Sequence, residues 1–379
     1  MNILFISHEA SRSGAPLALL YLLKEIKSKA TDITFTVLQL EGGPLTDEFR
    51  KLCKVIIPTE RPWRVEHLFK RDSLRERLSV RLLINHLKKQ HFDLIYANTV
   101  VTLPTAVALK TSLSIPVVLH AHEASNSFAH LGVTKDLVKQ CDYYIGASGI
   151  VYDSLIKYGS VPDRTHTIYP FSEFADRIVS GEATPPKKDA GDKVLIGCIG
   201  PMTERKGADF IPMIVRRLHD LYPECPYEIQ CIGTYMEGIS KKVEYDLARI
   251  GMSDKVRNLG SQPDPLPLYL NLDFLLVLSR EDPFPLAVVE NGLLGKPSIL
   301  FDGSCGTQRF INNGVNGVIV PYMDIDGMAK AIYHLCQDRE ARVSMGQKFQ
   351  KTLSDHYQHA RTNDEIIKLL YQIGKDIHH

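Results

Sequence analysis

Residues 194–207 read Val-Leu-Ile-Gly-Cys-Ile-Gly-Pro-Met-Thr-Glu-Arg-Lys-Gly. A short apolar run ends at the turn-forming pair Gly200 and Pro201, and an amphipathic stretch follows. This order is typical of a buried strand that leads into a helix. The chain begins in the same way, with apolar Asn2–Ser7 followed by a helical pattern over Pro16–Lys27. The sequence therefore predicts an α/β protein built from parallel sheets wrapped by helices.

The same alternation fills two similar halves of the chain. The strand-like runs are Asn2–Ser7, Ile33–Gln39, Val55–Pro58, Leu94–Asn98, Val117–His122, Tyr143–Ser148, His166–Tyr169, Val194–Gly200, Glu228–Gly233, Val256–Leu259, Phe274–Ser279, Ser298–Phe301 and Val318–Pro321. Residues 171–192 are polar and rich in breakers, which indicates an interdomain linker. We predict an N-terminal domain over 1–170, a C-terminal domain over 193–355 and a last helix over 356–379 that returns to the first domain.

Composition excludes several classes of protein. The 379 residues are 44% hydrophobic and 23% charged, as in ordinary globular proteins, and 45 Lys and Arg against 44 Asp and Glu give a net charge of +1. This balance offers no footprint for nucleic acid. The sequence contains no apolar run of membrane-spanning length, and its start resembles no secretion signal. Seven scattered cysteines without a C-x-x-C pair indicate reduced thiols in a cytoplasmic protein.

Open parallel sheets bind ligands beyond the carboxyl ends of their strands, so the informative residues should follow strands. After the first strand, Ser11-Arg-Ser-Gly-Ala-Pro16 opens a helix, and Gly14 would let an anion approach the helix N-terminus. An ordinary strand-to-helix turn explains the same residues equally well.

Two adjacent cations, Arg205 and Lys206, precede a helix in the second half. Positive charge is unfavourable at a helix N-terminus, and an anionic ligand such as a diphosphate would resolve the conflict. Solvated surface cations are the alternative. The segment lacks the G-x-G-x-x-G pattern of dinucleotide-binding proteins.

Ser279–Glu290 carries two further acidic candidates. Asp282 either binds a ligand or caps a helix whose first residue is Pro283. Glu290 has Ala287, Leu286, Leu293 and Leu294 as its helical neighbours, so its carboxylate lies on an apolar face. Such a carboxylate requires donors, and the paired hydroxyls of a ribose are suitable.

His120-Ala-His122-Glu123 ends a strand of the first half. Alternate strand residues share a face, but without a third ligand nearby a metal site is a poor interpretation. We expect His122 to form hydrogen bonds at the edge of a binding cleft. A core histidine with a satisfied hydrogen bond remains an alternative for His120.

Together these features resemble the family-4 retaining glycosyltransferases, whose GT-B fold has two facing Rossmann-like doubly wound domains with a cleft between them. The matching residues are Asp282 and Glu290 with seven residues between them, Gly295-Lys296-Pro297, Gly314-Val-Asn-Gly317, Arg205-Lys206-Gly207 and Ser13-Gly14-Ala15. The chain departs from the family pattern in having Asp282 where Glu is commoner, Pro201 where Arg is frequent and Arg309 where an acid is usual. The cationic role therefore falls on Arg205 and Lys206.

The resemblance implies transfer of a sugar from a nucleoside diphosphate donor, UDP by default, to an acceptor hydroxyl with retention, without a metal or cofactor. The implied acceptor is a glycan, a lipid-linked sugar or a polysaccharide precursor. The implied catalytic residues are Arg205, Lys206, Asp282 and His122, and the implied donor-binding residues are Gly14, Glu290, Pro283 and Phe284. The departing phosphate is the expected base, and double displacement through a carboxylate is the alternative.

A basic segment lies on the predicted acceptor domain. Residues 61–91 hold nine Lys or Arg against three acids, with Trp63, Leu68 and Phe69 among them. Such a face suits peripheral contact with an anionic membrane at its inner side, and a solvated helix face is the alternative.

Three other functions compete with transfer. A different GT-B enzyme, such as a nucleotide-sugar epimerase or a phosphorylase, would share the fold. A degenerate GT-B scaffold would bind a partner without turnover. An NAD-dependent dehydrogenase would fit the sheets, but the sequence lacks its glycine fingerprint.

Overall fold

The computed structural model describes residues 1–58, 74–170, 172–181, 193–357 and 362–378. The chain divides into two compact units. The N-terminal unit contains Met1–Phe171 together with Ala360–His379, and the C-terminal unit contains Ser172–His359.

Within the described residues, the N-terminal unit has a sheet of seven parallel strands in the order β3-β2-β1-β4-β5-β6-β7. The strands are β1 (Asn2–Ser7), β2 (Thr34–Gln39), β3 (Lys54–Ile56), β4 (Leu94–Asn98), β5 (Val117–Ala121), β6 (Tyr143–Gly146) and β7 (Thr165–Thr167). The helices are α1 (Gly14–Lys29), α2 (Thr46–Leu52), α3 (Leu74–Lys88), α4 (Leu103–Leu113), α5 (Ser125–His130), α6 (Lys135–Val138) and α7 (Gly149–Lys157), and α15 (Thr362–His378) joins them from the end of the chain.

Both faces of this sheet are covered, because alternate residues of β1 and β4 enter two different cores. Phe5 and Tyr96 pack with Leu19 of α1 and Leu370 of α15. Their neighbours in the strands enter the second core, which includes residues of α4. Strands buried on both sides have near-continuous apolar sequences, which explains why the runs are visible in the sequence.

In the C-terminal unit, the described residues form a sheet of six parallel strands in the order β10-β9-β8-β11-β12-β13. The strands are β8 (Val194–Ile199), β9 (Tyr227–Ile232), β10 (Val256–Gly260), β11 (Phe274–Val277), β12 (Ser298–Phe301) and β13 (Val318–Val320). The helices are α8 (Glu173–Val179), α9 (Ile211–Leu221), α10 (Glu237–Arg249), α11 (Leu266–Asn271), α12 (Leu286–Leu293), α13 (Ile325–Gln337) and α14 (Arg339–His356).

Short 3-10 segments complete the described secondary structure. They span Val100–Thr102, Pro162–Arg164, Ala208–Phe210, Ser253–Lys255 and Gly306–Phe310. Thus the predicted α/β class and all thirteen predicted strands are present.

The segment expected to be a linker, 171–192, contains helix α8. Ser172 caps this helix, since its Oγ accepts a hydrogen bond from the backbone N–H of Ala175 at 3.3 Å. Residues 171 and 182–192 lie outside the described residues. None of the helices in the described ranges is long and apolar enough to cross a membrane.

Candidate functional site

The strand order of the C-terminal unit reverses between β8 and β11, which lie side by side. The segments that follow these two strands line one pocket, together with the strand ends themselves. Gly200, Lys206, Ser279 and Asp282 are among its lining residues. This is the switch point at which open α/β sheets bind their ligands, so the predicted residues after β8 and β11 meet where the topology requires.

Lys206 and Asp282 form an ion pair between Nζ and Oδ2. Their side chains are 18% and 7% exposed, so the pair is largely shielded from water. Ser279 Oγ lies 3.5 Å from the same carboxylate oxygen. Lys206 is therefore not a solvated surface cation, because a buried carboxylate balances its charge.

Arg205 and Arg280 connect the two loops in both directions. The Arg205 guanidinium donates to the carbonyl of Glu281 at 2.9 Å, and the Arg280 backbone N–H donates to the carbonyl of Arg205 at 2.8 Å. The Arg280 side chain makes a bidentate pair with Asp209 at 2.8 and 2.7 Å and lies 4.2 Å from the centre of the Phe210 ring. These bonds lower the pKa of Asp209, because they favour its ionised form. The loop carrying Lys206 is thus held against the loop carrying Asp282.

Gly207 explains how closely these loops approach each other. Its φ is 72°, in the left-handed region that favours glycine. A Cβ at this position would overlap the backbone carbonyl of Leu278, directly after β11. Only glycine lets the Lys206 segment lie against the exit of the neighbouring strand.

The alternative in which Asp282 caps a helix starting at Pro283 is wrong. Helix α12 begins at Leu286, with Pro285 as the flanking residue. A proline restricts the residue before it to extended conformations, so Phe284 cannot be the helical residue that this alternative required. Asp282 instead pairs with Cys305 in an isolated bridge. The Phe284 ring packs against Phe310 and Tyr357, at centroid distances of 6.3 and 6.0 Å.

Glu290 lies on α12 with its side chain buried, 4% of the residue being exposed. Its Oε1 accepts a hydrogen bond from Ser172 Oγ at 2.5 Å, and the hydroxyl of Tyr269 is a second partner. Burial raises the pKa of Glu290 to about 7, while the bonds from Ser172 and Tyr269 act in the opposite direction. The protein thus supplies donors for the carboxylate that the sequence places on an apolar face.

In the N-terminal unit, the strand order reverses between β1 and β4. The segment after β1 leads into α1, which begins at Gly14 without a side-chain cap from Ser13. Ser11 Oγ and Ser13 Oγ donate instead to Glu9 Oε1, at 2.5 and 3.3 Å. A Cβ at Gly14 would meet no atom within 4 Å, so the space beside this helix terminus is open among the described residues.

His122 follows the end of β5, and its ring lies against that of His120 with a centroid distance of 4.1 Å. The His122 Nε2 is 3.2 Å from Asn98 Oδ1. Burial, with a smaller contribution from His8, lowers the pKa of His122 to about 4, so the ring is neutral at physiological pH. His120 Nδ1 is bonded to the Tyr96 hydroxyl at 2.7 Å.

Asn98 was not among the predicted site residues, although it ends β4 beside the switch point. It connects the two predicted residues of this unit, because its Nδ2 donates to the carbonyl of Ala15 in the first turn of α1. Arg280, Ser172 and Tyr269 were missed as well. Position after a strand could have pointed to Asn98 and Arg280, but only the fold brings Ser172 to Glu290, 118 residues away.

Two predictions have little or no structural test. Within the described part of the chain, no group of three or more His, Cys, Asp or Glu side chains is arranged to hold a metal ion. Residues 61–73 of the basic segment 61–91 lie outside the described residues, and the described remainder of the segment contains α3. Metal independence and membrane contact stay predictions.

Comparison with known proteins identifies the family. The model of Glycosyltransferase Family 4 matches residues 14–172, and that of Glycosyl transferases group 1 matches residues 193–338. The structure of HepE from Anabaena in complex with UDP and glucose superposes with a TM-score of 0.76 at 19% identity, covering 98% of this chain and 100% of HepE. The fold is therefore GT-B, and the chain belongs to the family-4 glycosyltransferases.

Curated relatives match parts of the chain. The lipopolysaccharide core biosynthesis glycosyltransferase LpsE of Rhizobium meliloti is 27% identical over 180 residues, which are 47% of this chain and 50% of LpsE. The D-inositol 3-phosphate glycosyltransferase of Corynebacterium kroppenstedtii is 28% identical over 158 residues, 40% of this chain and 35% of that protein. The chain thus spans at most half the length of these two relatives.

Proposed function

We propose that the protein is a retaining glycosyltransferase that moves a sugar from a nucleoside diphosphate donor to an acceptor hydroxyl without a metal ion. The observation that carries this proposal is the pair of Lys206 and Asp282 in the pocket at the switch point of the C-terminal sheet, with the exposed Arg205 bonded to the carbonyl of the adjacent Glu281. A cation held beside a carboxylate in a pocket suits a ligand that carries both phosphates and sugar hydroxyls.

Lys206 and Arg205 would stabilise the leaving diphosphate. Negative charge grows on that group as its bond to the sugar breaks, and donors that are already in place stabilise it most. The pair with Asp282 holds the Lys206 ammonium in the pocket before the donor arrives. The guanidinium of Arg205 is oriented by its bond to the Glu281 carbonyl.

The two acids would recognise the rest of the donor. Asp282 would accept hydrogen bonds from hydroxyls of the sugar, with Pro283 and Phe284 shaping the loop around it. Glu290 would accept from the ribose hydroxyls. A carboxylate has about four acceptor positions, so Glu290 can receive a ribose hydroxyl while it keeps its bond to Ser172.

The N-terminal unit would contribute an anion site and a sugar contact. The open space at Gly14 lets a phosphate approach the N-terminus of α1, whose dipole favours negative charge. His122 would orient the sugar through a hydrogen bond. The new bond would form on the face of the sugar from which the diphosphate leaves, and the acceptor proton would pass to a departing phosphate oxygen.

The class of acceptor and the nucleobase of the donor are inferred from the relatives by analogy. LpsE is named for lipopolysaccharide core synthesis, which supports a glycan or lipid-linked acceptor for this chain. HepE was crystallised with UDP and glucose, which supports UDP as the nucleotide. A cytoplasmic enzyme that meets its acceptor at an anionic membrane surface is consistent with both.

Thermal unfolding with UDP, GDP and ADP, each with and without EDTA, tests the proposal. A ligand at about one hundred times its dissociation constant stabilises the native state by about 2.7 kcal/mol. We expect one diphosphate, UDP first, to give this shift with EDTA present, and Lys206→Met to reduce it. A shift that disappears with EDTA would contradict metal independence. No shift with any diphosphate would favour a scaffold without turnover.

A further inference from the structure

Asn98 lies at the carboxyl end of β4 and is 1% exposed. Its amide is held at both ends. Nδ2 donates to the backbone carbonyl of Ala15 at 3.0 Å, and Oδ1 lies 3.2 Å from Nε2 of His122. A carbonyl oxygen can only accept, so the amide nitrogen must face Ala15 and the amide oxygen must face the imidazole.

This orientation decides where the imidazole carries its hydrogen. Because Oδ1 of Asn98 has no hydrogen to donate, Nε2 of His122 must be the protonated nitrogen. In a neutral imidazole the other nitrogen, Nδ1, then carries a lone pair and acts as an acceptor.

We propose that Asn98 is a positioning residue that holds His122 in the Nε2–H tautomer and so presents Nδ1 as an acceptor for a hydroxyl of the bound sugar. The proposal rests on the proposed function for the identity of the ligand. The tautomer and its cause are properties of the protein alone.

The groups around His122 are consistent with a neutral ring. The His120 ring is tilted against it at a centroid distance of 4.1 Å, and the Nε2 of His8 lies 3.4 Å from Glu9 Oε1. Burial lowers the pKa of His120 and of His8 as well as that of His122, so burial disfavours the charged form of all three rings. Glu123 is the acid nearest in sequence, and its Oε2 accepts from the backbone N–H groups of His122 and Val100, at 3.0 and 3.2 Å, which fixes it beside the backbone.

Asn98 also connects the two predicted ligand contacts of this unit. Ala15 follows Gly14 in the first turn of α1, so one hydrogen-bonded chain runs from the proposed phosphate site to the proposed sugar contact.

Thr99, the residue after Asn98, is buried with a φ of 104° and a ψ of 154°, a conformation that is costly for a residue with a side chain. Its N–H donates to the carbonyl of His120 at 2.9 Å and ties this strained segment to β5.

Nitrogen-15 NMR of the histidine rings in the ligand-free protein tests the inference. The His122 signals are assigned by their loss in His122→Gln. We expect wild-type His122 to be the Nε2–H tautomer from pH 6 to pH 8. Asn98→Leu removes the acceptor, and we expect the Nδ1–H form to become populated. An unchanged tautomer in Asn98→Leu would overturn the proposal.

The pKa of His122 in Asn98→Asp provides a second measurement, and a purely structural role of Asn98 would leave this pKa unchanged. The carboxylate still accepts from Nε2–H but favours the imidazolium. It should raise the pKa of His122 from about 4 to about 6, since a nearby opposite charge typically shifts a pKa by about 1–3. Asn85→Asp, on the exposed face of α3 in the same unit, is the matched control and should leave the titration unchanged. An unshifted His122 in folded Asn98→Asp would equally refute the role.

Activity separates this inference from the proposed function. If the NMR results hold and no donor is turned over, the positioning role stands and the proposed reaction fails. If the protein turns over a donor, we expect Asn98→Asp to lose about tenfold in kcat/KM near pH 5, where most of its His122 is charged, with recovery at pH 8, where His122 is neutral again. A pH-independent loss in Asn98→Asp would count against the tautomer as the cause.

Discussion

Replacing Glu290 by Gln should change how the stability of the protein depends on pH. The Glu290 side chain is buried, and burial raises its pKa from 4.5 to about 7. Hydrogen bonds from Ser172 and Tyr269 favour the ionised form and oppose this shift. The folded protein therefore binds a proton at Glu290 over a pH range in which the unfolded chain has released it.

The sign and size of the effect follow from that difference. The stabilising contribution of protonated Glu290 is fully present below pH 4.5 and is lost as pH rises through about 7. Over the whole range the loss is about 3 kcal/mol, and between pH 5 and pH 8 it is about 2–3 kcal/mol. Gln stays neutral, so the free energy of unfolding of Glu290→Gln should rise relative to wild type by this amount from pH 5 to pH 8.

Urea unfolding followed by circular dichroism at pH 5, 6.5 and 8 measures this difference. Packing of the amide changes the free energy of unfolding of Glu290→Gln by the same amount at every pH. This constant difference does not affect how the difference in stability between the two proteins changes with pH. Glu224→Gln, at an exposed position of the same unit, is the control and should follow the wild type at every pH. Parallel stability curves for wild type and Glu290→Gln would refute the assignment of a raised pKa to this carboxylate.

Two further predictions concern the packing of the two site loops. Arg280→Lys should destabilise the protein by about 1–2 kcal/mol and lower turnover, because it removes a bidentate pair and a cation–π contact. The control is Arg217→Lys, at an exposed bidentate pair, which should change the free energy of unfolding by no more than about 0.5 kcal/mol in the same urea experiment. Equal losses of stability in Arg280→Lys and Arg217→Lys would contradict the prediction. Gly207→Ala should cost about 2 kcal/mol or more, because its Cβ overlaps the carbonyl of Leu278 at a positive φ. Gly238→Ala, with open space around it in α10, should be neutral or stabilising by thermal unfolding, and a Gly207→Ala protein as stable as this control would show that the loops can separate.

The strands were predictable from sequence, and so was the meeting of the segments that follow β8 and β11. Strands buried on both faces appear as short apolar runs, and the residues that follow them gather at the switch point of each sheet. Lys206 and Asp282 were predicted as site residues because they follow β8 and β11. The charge pattern alone could not show that they pair with each other, 76 residues apart.

Other features depend on contacts that no local pattern records. The apolar neighbours of Glu290 indicate that it needs donors, but a ribose and the pair of Ser172 and Tyr269 satisfy the same requirement. Likewise, His122 was identified from its place at a strand end, whereas the tautomer depends on Asn98 in another strand. The alternative in which α12 starts at Pro283 arose because a proline suits a first helical turn, and it is wrong because Pro285 holds the preceding residue out of the helix.

Turnover of a sugar donor tests the central claim most directly. Wild-type protein, Lys206→Met and the exposed control Lys241→Met would be incubated with UDP-sugars and an extract of glycan and lipid-linked acceptors in EDTA. The assay measures UDP release together with the anomeric configuration of the product. We predict release with retained configuration by the wild type and the control, and a loss of about a hundredfold or more in Lys206→Met, since one donor to a developing charge is worth about 3 kcal/mol. Equal turnover by folded Lys206→Met, or an inverted product, would contradict the account.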